Sequence, residues 1–135
     1  MLAAPFHIDD IEGLPAERLP ERARDWYSRE YVQAIAAQGP AFTGRINGKV
    51  VILAGIAYDE QRRGWLWSFL ATDTGPHMLA ITRTVKRVLA LVDGPLFATA
   101  DRCYRPSLRW LAMLGFKPST NPAWPPGPDD LFERA

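Results

Sequence analysis

Residues 96–116 read Leu-Phe-Ala-Thr-Ala-Asp-Arg-Cys-Tyr-Arg-Pro-Ser-Leu-Arg-Trp-Leu-Ala-Met-Leu-Gly-Phe, and few architectures accept that order. Residues 96–100 form a short apolar run bounded by a polar turn, the pattern of a buried strand. Pro106 suits the first turn of a helix, where its missing N–H would have had no partner anyway. Residues 106–114 then continue as an amphipathic helix. Gly115 closes it, because a left-handed cap carries no Cβ penalty at glycine. Phe116 begins another strand. Strand, helix and strand in succession require a sheet with helices packed on it.

The rest of the chain supplies that sheet. Residues 42–46 and 49–58 flank Asn47-Gly48, the strongest short signal for a hairpin with a type I′ turn. Gly55 inside the second strand marks a bulge or a close backbone approach. Residues 59–64 are a polar turn, and residues 65–71 a third strand with Trp65, Trp67 and Phe69 on one face. Thr72-Asp73-Thr74-Gly75-Pro76 leads into a helix whose apolar face is Met78, Ile81, Val85, Val88, Leu89 and Val92. Asp93-Gly94-Pro95 ends it.

Upstream, residues 5–11 read as a short edge strand or an extended lead-in, with Asp9 and Asp10 starting a helical turn. Pro20 opens a helix over residues 21–38, with a buried stripe of Ala23, Tyr27, Tyr31, Ala34 and Ile35 and with Trp26 at its margin. Residues 117–128 are a Pro-rich loop and residues 129–134 a last strand. The expected fold class is α/β (α+β). It has a mixed, mostly antiparallel sheet of about six to seven strands with helices on both faces, in one domain over residues 1–135.

Composition narrows the function. Net charge is +1, from 16 basic and 15 acidic residues, so no global field recruits nucleic acid or an anionic membrane. The row Arg83, Lys86, Arg87 has no interleaved aromatics and reads as a solvated helix face. One cysteine excludes an internal disulfide and any multi-cysteine zinc site; no metal is expected. No apolar run is long enough to span a bilayer. The N-terminus lacks the basic region of a signal peptide, which makes secretion by that route unexpected.

The Asn-Gly hairpin, the Trp strand running into Ala71-Thr72-Asp73, the long helix with a basic back and the closing Gly115-Phe116 resemble the GNAT superfamily of acyl-CoA-dependent N-acetyltransferases. The resemblance covers nearly the whole chain. Within the superfamily it is most similar to the GNAT-like internal virion or ejection-related proteins of short-tailed bacteriophages. It implies acetyl-CoA as cofactor, held where strands 4 and 5, here residues 65–71 and 96–100, splay apart. An extended pantetheine chain there replaces a strand, and the pyrophosphate sits on the N-terminus of the next helix. Phe69, Leu70, Ala71 and Thr72 would line the splay, with Gly75 and His77 at the pyrophosphate.

Several positions depart from the superfamily pattern. Its pyrophosphate loop falls on Thr74-Gly75-Pro76-His77-Met78-Leu79, where Pro76 lacks an amide and Asp73 adds an opposing charge. Its acetyl-CoA-contacting Asn falls on Tyr104, and the Tyr that protonates the leaving thiolate falls on Leu111, which has no proton to give. Tyr104 could donate from a shifted position or cap the helix start. Asp73 and His77 are the candidate bases, and His77 has a suitable intrinsic pKa, although a lone His in a first helical turn is more often a capping or surface residue. Cys103, between Arg102 and Arg105, is a nucleophile only with a base beside it; otherwise it packs.

Two functions follow from the resemblance. One is a protein with a degenerate acetyl-CoA site that works by protein contact in virion assembly or genome delivery. The other is an active N-acetyltransferase moving an acetyl group to an amine. Trp124, inside Pro-Ala-Trp-Pro-Pro, is either a partner contact, for instance with phage structural proteins, or a lid folded onto the sheet. The implied location is the virion or the bacterial cytoplasm.

Overall fold

The computed structural model describes residues 1–119 and 129–135. Trp124 therefore lies outside the described residues. Seven strands make one sheet: β1 (Leu2–Pro5), β2 (Ala41–Ile46), β3 (Lys49–Tyr58), β4 (Gly64–Leu70), β5 (Leu96–Asp101), β6 (Lys117–Pro118) and β7 (Asp129–Arg134). Their spatial order is β1-β2-β3-β4-β5-β7-β6. Every neighbouring pair is antiparallel except β4 and β5, which are parallel. The helices are α1 (Glu21–Arg24), α2 (Arg29–Ala36), α3 (Met78–Ala90) and α4 (Arg105–Met113). This is the mixed, mostly antiparallel architecture expected from the sequence.

Two local signals translate directly into backbone. Asn47 and Gly48 have φ of 51° and 78°, the double positive φ of a type I′ turn. Gly115 has φ of 95°; its amide donates to the Ala112 carbonyl at 3.1 Å and that of Phe116 to Leu111 at 2.9 Å. Those two bonds make a Schellman cap and satisfy carbonyls that the helix end would leave open. At Gly55 the close approach is realised, since a Cβ there would lie 2.6 Å from the Pro40 carbonyl oxygen. The register shift falls between Gly44 and Arg45 instead.

The sequence reading fails at two places. The edge strand is Leu2–Pro5, paired with β2, ahead of the segment expected to hold it. His7 then caps a 3-10 turn over Ile8–Gly13, sharing a capping box with Asp10. The helix expected over residues 21–38 is two helices. Ser28 accepts a hydrogen bond from the Tyr31 amide at 3.1 Å and so starts α2 afresh. Tyr27, between the two helices, donates its hydroxyl to the Leu14 carbonyl at 2.7 Å and packs its ring 4.9 Å from that of Phe69. The restart shifts the helical phase, so Val32 is fully buried while Tyr31 is exposed.

The strands' alternation divides the core. Leu53, Trp67 and Phe69 pack with Leu14, Leu19 and Val32 beneath α1 and α2. Ile52, Ile56, Leu96 and Ala98 pack with Ile81, Val85, Trp110 and Leu114 beneath α3 and α4. Of the three tryptophans on regular elements, Trp67 and Trp110 are buried. Trp65 is half-buried and donates its indole N–H to Asp59 at 3.0 Å. Trp26 is exposed.

Candidate functional site

β4 and β5 pair only at Gly64↔Leu96 and Trp65↔Phe97. Beyond that point they part. On its other side β4 stays in register with β3 from Tyr58↔Gly64 to Ile52↔Leu70, and β5 stays paired with β7 as far as Asp101↔Asp129. The amide of Ala71 donates to the Val51 carbonyl at 2.9 Å, which sets the alternation along β4. Residues 67 and 69 turn their backbone polar groups toward β3, and Leu66, Ser68 and Leu70 turn theirs toward the gap. Backbone groups facing such a gap need water or a ligand as partner.

A cavity of about 590 Å³ occupies the gap. Its walls come from both strands (Ser68 and Phe69, Ala98 to Asp101), from α4 (Ser107, Trp110, Leu111) and Tyr104 just before it, and from the α1–α2 segment (Arg22, Trp26, Tyr31). Ser107 and Leu111 follow helical spacing and so share the face of α4 that meets the cavity, with Tyr104 preceding the helix at its N-cap. Thr99 is exposed in the middle of β5, which opens the cavity on the α1–α2 side. At the C-terminal end of β5, Arg22 hydrogen-bonds the Asp101 carboxylate and lies 4.3 Å over the Tyr104 ring. Trp26 and Tyr31, with ring centroids 6.1 Å apart, form the outer rim.

The loop between β4 and α3 is held from its β3 side. Arg18 makes two hydrogen bonds to Asp73, each 3.2 Å, and Lys49 makes a third at 3.2 Å. The hydrogen bonds of Arg18, with those of Lys49 and against the effect of burial, hold the Asp73 carboxyl below the usual aspartate range. Two cations face one carboxylate here, so the opposing charge expected from Asp73 is more than neutralised. Neither Arg18 nor Lys49 stands out in the sequence. The Arg18 carbonyl takes the Thr72 amide at 2.7 Å and the Thr72 hydroxyl at 3.1 Å. Gly75 lies in a 3-10 turn just before α3, and a Cβ built on it meets nothing within 4 Å.

The sequence-predicted residues separate accordingly. Phe69 lines the cavity but turns its backbone to β3. Leu70 presents its backbone to the gap. Ala71 and Thr72 have their amides committed to Val51 and Arg18. Tyr104 is in the cavity wall, while His77, exposed at the start of α3, is not. Cys103 is exposed, its amide bonded to Asp101 at 2.8 Å, and it too lies outside the wall. Leu111 is buried and faces the cavity as an apolar surface. Ser107 escapes sequence reasoning because nothing local distinguishes it, and Ser68 stands out in the sequence only as the polar side chain of its strand, no base by itself; the parting of two strands far apart in sequence gives both a cavity to face. Among the described residues no group of three or more His, Cys, Asp or Glu is placed to hold a metal ion, and no helix is long and apolar enough to cross a membrane.

No protein-family model matches this chain, and no curated protein matches it in sequence. Solved structures do match over almost its whole length. A protein assigned to the GnaT acetyltransferase family from Bordetella pertussis aligns with a TM-score of 0.69 at 16% identity, covering 98% of this chain and 94% of that one. An aminoglycoside acetyltransferase in complex with coenzyme A and kanamycin aligns with a TM-score of 0.71 at 14% identity, covering 98% and 92%. A spermidine N-acetyltransferase chimera, in part from Vibrio cholerae, gives 0.66 at 9% identity, covering 99% and 95%. The chain has the acetyltransferase fold, with its parted parallel strands at the centre.

Proposed function

We propose that the protein binds acetyl-CoA in the gap between β4 and β5 and passes the acetyl group to an amine. The observation that carries this is the parting of the two parallel strands after two residue pairs, which turns backbone groups of Ser68 and Leu70 toward the gap, with Ser68 in the wall of a cavity large enough for a ligand. Solved neighbours of this fold include complexes with coenzyme A. The residues present fit the group unevenly. The edge of β4 can receive pantetheine as a strand would. The open space over Gly75 and the positive balance of Arg18 and Lys49 suit a pyrophosphate at the start of α3. The Thr72 amide and Pro76 contribute nothing to it.

Acetyl-CoA would supply the activated acyl carbonyl. The chain's own contribution is mainly positioning, which alone can lower such a barrier by about 7–11 kcal/mol. Tyr104 at the N-cap of α4 and Ser107 on its cavity face supply hydroxyls, and they stand in for the acid absent at Leu111. A second reading is favoured by that same buried leucine and by His77 lying off the cavity: a site that binds without turnover, in a protein acting by contact with virion components.

Calorimetric titration with acetyl-CoA tests binding. Saturable heat is expected, and Gly75→Asp, which places a carboxylate in open space, should weaken binding at least tenfold without lowering the melting temperature. No heat at millimolar ligand would remove the proposal. Release of free thiol in the presence of amines then separates the two readings, since only transfer produces it.

A further inference from the structure

A second cavity, of about 440 Å³, lies between strands β2–β4 and the C-terminal half of α3. Its wall mixes apolar and polar surface: Leu66, Val88 and Val92 are half-buried there, while Phe42, Ile56, Val85 and Leu89 belong to the buried core. It shares only Leu66 with the gap between β4 and β5. Its size falls in the range of pockets that enclose small molecules, which combine an apolar wall with a few polar groups that orient the ligand.

Two polar side chains complete the wall, Asp93 and Tyr58. Asp93 is the one acidic side chain of that wall. It is exposed, and among the described residues it has no ion pair. It follows α3, whose C-terminus carries the negative end of the helix dipole. Arg87, the basic residue of the last turn, is not in the wall. The rim therefore carries one sign of charge beside the half-buried Leu66, Val88 and Val92.

We infer that this cavity binds a small hydrophobic amine, its alkyl or aryl body against the half-buried Leu66, Val88 and Val92 and its ammonium at Asp93. A carboxylate of the same length meets like charge from both Asp93 and the helix end, and a neutral alcohol forgoes the attraction. The body supplies most of the affinity through apolar burial, and the rim charge supplies the selection. This inference is independent of acetyl-CoA binding in the other cavity.

The test uses octylamine, octanol and octanoate, each below its micellar concentration, titrated at pH 7 into the full chain with methyl resonances of Val85, Val88, Leu89 and Val92 observed by NMR. Octylamine should shift these methyls saturably and bind at least five times more tightly than octanoate. Asp93→Asn should reduce that preference at least twofold, leaving the part due to the helix end, while keeping the methyl shifts. Equal affinities for amine and acid, a preference unchanged by Asp93→Asn, or no saturable shift at these methyls would each overturn the inference. Asp93 is on the surface, so its substitution leaves the fold intact, and unchanged amide spectra away from the cavity verify this.

Discussion

Asp73 enters the sequence as a negative charge beside a helix N-terminus, and folding gives it two cations. Arg18 lies 55 residues away in the chain, and no local pattern joins the two, so the sign of that corner was not legible. Asn47, Gly48 and Gly115 were legible, because positive φ is a demand each position makes of its own residue. Asp59 lies between these cases. It was read as part of a polar turn, but its carboxylate organises that turn. It accepts the amides of Gln61 and Arg63, each at 2.9 Å, the Arg63 guanidinium at 2.8 Å and the Trp65 indole N–H at 3.0 Å. The Trp65 bond first, then those of Arg63, lower its pKa from the ordinary 3.8 to about 2. A carboxyl depressed in the folded state stabilises fully above its unfolded pKa and loses that contribution as pH falls through its folded one. Urea unfolding of wild type and Asp59→Asn should thus show a constant difference from pH 7 down to the unfolded value of 3.8. The difference should shrink as pH falls toward 2. A difference unchanged throughout that fall would mean the carboxylate is not the organiser.

At the scale of elements, the sheet was read more accurately than the helices upstream of it. β3, β4, β5 and β7 announce themselves by apolar runs and turn residues, and their bounds shift by little. The segment from Glu21 to Gln38 shows why helices are harder. Its composition suits one helix, but Ser28 competes for the backbone as a cap, and Tyr27 is drawn inward by Leu14 and Phe69. That tertiary contact decides where one helix stops and the next begins. The cap's contribution is measurable: Ser28→Ala should cost about 1 kcal/mol, seen as a lower denaturant midpoint with an unchanged slope. A wholly neutral substitution would show that α2 is positioned by Val32 and Tyr27 alone. The consequence reaches the cavity, because α1 and α2 place Arg22, Trp26 and Tyr31 along its rim.

Over the whole molecule, one interruption in pairing does most to shape the cavity. Among the described residues six strand pairs tie the sheet together, and the parallel one opens after two residue pairs. The opening exposes backbone on β4, draws Thr99 and Asp101 to its edge, and sets the cavity face of α4 opposite. The expectation that strands 4 and 5 part came from resemblance to a known fold, and the register shows where they do so. The particular groups facing the gap are a property of alternation and could not be read until the register was known. The most direct measurement of this account is an amide NMR titration with acetyl-CoA. The amides of Ser68 and Leu70 should shift and become protected from exchange together, while those of residues 67 and 69, already bonded toward β3, stay in place. Shifts confined to the outer surface, or none at Ser68 and Leu70 under saturating ligand, would contradict the claim that the parted strands are the acyl-CoA site.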